Sequence, residues 1–106
     1  MGVFQFFGGW RNKQKIAALA QQIVQQHQEA FWHTLQPRLL KMGEAEALGY
    51  SRTKASLMTT TWVQDLLDQN HLDSSYHSPV QQQTIDLLVE TSRQRYLSTS
   101  LTRRAA

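Results

Sequence analysis

The chain reads as an all-α protein, an antiparallel bundle of three long helices with an aromatic N-terminal segment packed on it. Three observations carry this. The 106 residues hold only two prolines and five glycines, so the chain has few internal breaks. Apolar residues recur at helical spacing in three separate stretches. No stretch alternates with period two for long enough to force a sheet. A chain of this length makes one domain with one core. Residues 1–12 form its aromatic N-terminal segment, and residues 99–106 are expected to fray.

The first periodic segment runs from about Lys13 to Gln36, with Asn12 as the expected N-cap. At 3.6-residue spacing, Ile16, Leu19, Ala20, Ile23, His27, Ala30, Phe31 and Thr34 share one face. Pro37 stops or kinks this helix, because it pushes the preceding residue out of the α region. A short Leu39–Met42 segment and Gly43 form the first corner.

Glu44 and Glu46 open the second segment, where they complement the helix dipole. Its expected stripe is Leu48, Ser51, Ala55, Met58, Trp62 and Leu66. A narrower stripe of Tyr50, Leu57 and Thr61 suggests a central helix that touches both neighbours. Thr59 to Thr61 lower helix propensity, but the stripe continues through them. Asn70 is the expected stop.

Leu72 to His77 reads as a loop. Ser78-Pro79-Val80-Gln81 has the form of a capping box, with Pro79 at the first helical position. The third helix is expected from Pro79 to about Ser98, with Thr84, Ile85, Leu88, Val89, Ser92 and Tyr96 inward.

Charge placement supports the bundle. Arg11, Lys13 and Lys15 begin the first helix, the unfavourable end for cations. They are candidate anion contacts, or partners for Asp65 and Asp68 at the end of an antiparallel second helix. Arg38 and Lys41 would face Glu44 and Glu46 at the other end, and Arg93 and Arg95 would approach the same acidic start.

Composition narrows the functional classes. Formal net charge is +3 and charged residues make up 18%, below the roughly 25% usual for soluble domains. Fourteen glutamines fill the difference and make the chain glutamine-rich. Arg52, Lys54, Arg103 and Arg104 form no single basic stripe, so nucleic acid is not an expected partner. Cysteine is absent, which removes thiolate chemistry and fits the cytoplasm. No apolar run approaches a transmembrane length, and the basic residues follow the N-terminal apolar stretch where a signal peptide would have them first. Position 6 is Phe, which argues against acylation of Gly2.

No catalytic motif, phosphate loop or metal motif is present, so neither enzyme activity nor a cofactor, metal or small-molecule substrate is expected. Glu29 and His33 form an i,i+4 pair that His27 cannot join, because it lies on another face. His27 instead reads as a core or interface histidine, a residue type able to respond to pH.

Two features point to contact surfaces. Phe4, Phe6, Phe7 and Trp10 crowd an uncharged N-terminal stretch. Gln21 and Gln25 lie opposite the core stripe with Trp32 among them, and neutral amides around a tryptophan suit an interface. The expected function is a non-enzymatic protein-interaction or self-association module, its partner another protein or a second copy in a homodimer. The alternative is a peripheral membrane module, since aromatic residues followed by cations suit a lipid interface; a nucleic-acid-binding domain using Arg52, Lys54, Arg103 and Arg104 ranks below it.

Overall fold

The computed structural model describes the backbone of residues 2–105 and the side chains of residues 11–100. Three helices pack against one another: α1 (Gly2–Leu39), α2 (Glu44–Gln69) and α3 (His77–Ala105). A single 3₁₀ turn, Ser74–Tyr76, precedes α3. Contacts fix an up-down-up order. Tyr76 at the start of α3 donates to Asn12 Oδ1 at 3.1 Å, and Arg95 further along α3 reaches Glu29, so α1 and α3 run the same way. Gln81 meets Ser56 and Arg93 meets Glu44, so α2 runs against α3. The helix with broad contacts to both neighbours is α3, not α2 as expected.

The buried positions follow rows of four residues. In α1, Leu19, Ile23, Phe31, Leu35 and Leu39 are buried along one such row, with His27 half-buried in it. Beside it run Ala20, Val24 and Trp32. In α2 the row is Ala47, Ser51, Ala55, Thr59, Val63 and Leu67, and in α3 it is Val80, Thr84, Leu88 and Ser92. A step of four residues advances about 40° round a helix of 3.6 residues per turn. Such a row winds round its helix, and rows of this kind mesh as ridges in grooves between crossing helices. A straight 3.6-residue stripe misplaces residues as the row winds. Ala30 and Thr34 are therefore exposed, as are Leu48 at 42% and Leu57 at 67%. Tyr50 is half-buried and Thr61 exposed, so the second stripe on α2 is not core.

Hydroxyls in these rows are satisfied without leaving their helix. Ser51, Thr59 and Thr84 donate to the carbonyls of Ala47, Ala55 and Val80 at 2.8, 2.6 and 2.7 Å. Each acceptor is the preceding member of its row. Burying a hydroxyl without a partner costs roughly 1–3 kcal/mol, and these bonds remove that cost. Thr60 does the same at the exposed surface, donating to the Ser56 carbonyl at 3.1 Å.

The core forms two clusters. One, at the α1–α2 corner, holds Phe31, Trp32, Leu35, Leu39, Ala55 and Leu88. The other, near the α2–α3 connection, holds Leu19, Ile23, Val63, Leu66, Leu67 and Val80. Trp62 packs against both. Tyr96 closes the corner by donating to the Met42 carbonyl at 2.6 Å.

Helix ends differ from the expected ones for local reasons. Helix α1 is continuous from Gly2, so Asn12 is not a cap and Gly8-Gly9 makes no turn. It runs through Pro37 to Leu39, because proline near a C-terminus removes only one late bond, and Leu40 N–H still donates to Gln36 at 3.2 Å. Helix α3 begins at His77 after Asp73 caps the 3₁₀ turn, its carboxylate accepting from Ser75 N–H at 2.9 Å. Ser78 and Gln81 therefore form no capping box. With no glycine or proline after Pro79, α3 continues past Ser98 to Ala105.

Asn70 ends α2 as expected. His71 follows with φ 54°, and the N–H groups of Leu72 and His71 donate to Leu67 and Asp68 at 2.9 and 3.2 Å. This paired closure ends many helices and normally uses glycine at the left-handed position. Leu72 packs back on the Leu66–Leu67 cluster, the apolar contact that accompanies it. An L-residue in this conformation costs roughly 1–2 kcal/mol. His71→Gly is therefore expected to stabilise the fold by about 0.5–1 kcal/mol after the added chain entropy of glycine, read as a raised midpoint in urea denaturation.

Candidate interaction surface

The ion pairs fall along α3 more than at the bundle ends. Arg93 lies 3.5 Å from Glu44, as its position suggests. Arg95 turns instead to α1, where Nη1 donates to Glu29 Oε2 at 3.1 Å and Nη2 to Oε1. These hydrogen bonds lower the Glu29 pKa first, with Arg95 and His33 charges adding to the effect and desolvation opposing it. The Arg95 guanidinium also lies 5.7 Å from the Trp32 ring centre. Arg52 pairs with Asp86 at 3.4 Å. Such exposed pairs contribute little each.

The expected pairing at the other end does not form. Among the described residues no salt bridge joins Arg11, Lys13 or Lys15 to Asp65 or Asp68. Asp68 accepts from Gln64 at 2.9 Å instead, and Lys15 lies 5.4 Å from the Tyr76 ring centre. All three cations are exposed. Because α1 starts at Gly2, they lie beyond its first turn, where the dipole effect has faded. Arg38 and Lys41 likewise make no pair with Glu44 or Glu46; α3 takes Glu44.

Trp32 is not a surface anchor. It is 7% exposed and belongs to the corner cluster with Val24, Phe31 and Leu35. It follows Ala20 and Val24 on the winding row, which carries it inward. Gln21 and Gln25 are exposed as expected, but the tryptophan that gave their face its meaning is absent from it. The side chains of Phe4, Phe6, Phe7 and Trp10 lie outside the described residues.

Two features escaped the sequence reading. On the outward side of α2, Leu57 projects beside a shallow depression lined by Gly49, Arg52, Thr53 and Ser56. Gly49 has open space where a Cβ would stand. Arg52, which lines the depression, pairs with Asp86, and Lys54 lies over the Tyr50 ring. On the other side, His27 of α1 stacks on Trp62 of α2 with ring centres 4.2 Å apart and 7° between planes. Gln26, Asp65, Leu66 and Gln69 complete an open cleft around this stack. Burial lowers the His27 pKa, and Asp65 partly opposes that shift.

Glu29 and His33 approach to 4.0 Å, a loose exposed contact on a different face from His27. Among the described residues no helix is long and apolar enough to cross a membrane. No protein-family model matches the chain, and no curated protein or solved structure shows significant similarity to it.

Removing the Trp32 ring opens a cavity in the corner cluster. Trp32→Ala is expected to destabilise the fold by about 3–5 kcal/mol, measured by chemical denaturation. A surface tryptophan would leave the midpoint nearly unchanged.

Proposed function

We propose that this chain is a non-catalytic interaction module that self-associates through the outward face of α2. The supporting observation is Leu57, 67% exposed in the middle of α2 beside a depression lined by Gly49, Arg52, Thr53 and Ser56. Burying one leucine side chain is worth roughly 1.5–3 kcal/mol. Glycine, serine and threonine beside it let a second helix approach closely, and Arg52 at the edge is already paired with Asp86. The Phe4, Phe6, Phe7 and Trp10 stretch adds a second apolar element to the same reading. The cysteine-free composition fits a cytoplasmic setting.

Sedimentation velocity over a concentration series tests this reading. The wild-type chain is expected to show a concentration-dependent dimer, and Leu57→Asp to sediment as monomer with its melting temperature little changed. A wild-type chain that stays monomeric at the highest attainable concentration removes the proposal.

A membrane-surface role is the second reading, favoured by Arg11, Lys13 and Lys15 standing exposed without acidic partners. It predicts flotation with vesicles containing anionic lipid, lost on replacing the three cations by glutamine. Equal flotation with neutral vesicles, or none, rejects it.

A further inference from the structure

We propose that the His27–Trp62 stack is a pH-sensitive latch between α1 and α2, closed with neutral imidazole and loosened by its protonation. The geometry sets this stack where a small change spreads. His27 occupies a position in the α1 row between Ile23 and Phe31, both fully buried. Trp62 is the side chain packed against both core clusters. The α1–α2 contact is also less extensive than either contact with α3, so it has fewer other interactions to hold it.

The charged surroundings are sparse. From α2, Asp65 acts on the imidazole. The described charged groups of α3 are engaged elsewhere: Asp86 with Arg52, Glu90 with Arg93, Arg93 with Glu44 and Arg95 with Glu29. On α1 itself, residues 23, 24, 30 and 31 beside His27 are apolar. A proton on His27 thus meets one partly compensating carboxylate, apolar neighbours on α1, and the neutral amides Gln26 and Gln69 of the cleft. Desolvation disfavours the charged ring there, although the indole face and Asp65 recover part of that cost.

Burial of His27 sets the direction of the effect. A folded-state pKa below the ordinary 6.5 means that the unfolded chain binds more protons in that range. The stability that His27 contributes is complete above pH 6.5 and is lost as pH falls from there towards its folded value. Loss from Glu29 comes in a separate, more acidic window, below its ordinary 4.5.

Histidine NMR on the full chain reads the latch directly. His27 should titrate below the ordinary 6.5, and the Trp62 indole N–H resonance should shift with the same midpoint. His27→Phe keeps an aromatic ring without a titrating group. It should remove the fall in melting temperature between neutral pH and pH 5, while Asp65→Asn should move the His27 midpoint lower still. A His27 midpoint at or above 6.5 overturns the proposal, as does a Trp62 resonance that ignores the His27 titration. The wild-type titration gives this answer even where a variant fails to fold.

Discussion

The meshing of four-residue rows is the constraint on which the rest of this structure depends. Small side chains at Ala47, Ser51 and Ala55 bring the α2 backbone close to its neighbours, and larger ones from α1 and α3 fill the remaining space. Once the rows mesh, the inward and outward sides of every turn are settled. Trp32 turns in, Leu57 turns out, and His27 meets Trp62. Each is a consequence of the same winding. The hydroxyl bonds along the rows belong to the same constraint, since a serine or threonine that bonds its own helix can be buried between helices at little cost.

Polar contacts between helices act on top of this packing and set register. Gln81 donates to the Ser56 carbonyl at 3.1 Å and to Thr60 Oγ1 at 3.0 Å, and His77 Nε2 lies 3.2 Å from the Thr60 carbonyl. These bonds pin the start of α3 to the middle of α2. Tyr76 and Tyr96 hold the two ends through Asn12 and Met42. The ion pairs are exposed and add mainly orientation. Sliding α3 by one turn would break the Gln81, Tyr76 and Tyr96 contacts together, which gives the bundle a single alignment.

The helical class, the three segments and the Gly43 and Asn70 boundaries were legible because they rest on local chemistry. Proline and glycine are scarce, Glu44 and Glu46 mark a helix start, and asparagine favours a helix end. The candidate site was less legible. Local signals at Asn12 and Ser78 suggested caps, yet α1 runs from Gly2 and α3 from His77, across both positions. Trp32 looked exposed among glutamines because a 3.6-residue stripe assumes a straight inward face. Spacing places His27 and Trp62 on two helices, but no spacing rule says that they stack.

The sequence alone therefore determined that this is a helical bundle and where its two connections between long helices fall. Those features need only neighbouring residues. The tertiary structure decided which tryptophan is core, which leucine is outside, and which cation meets which carboxylate. Those outcomes depend on the angle at which one helix crosses another. A crossing angle belongs to a pair of surfaces and is written in neither helix by itself.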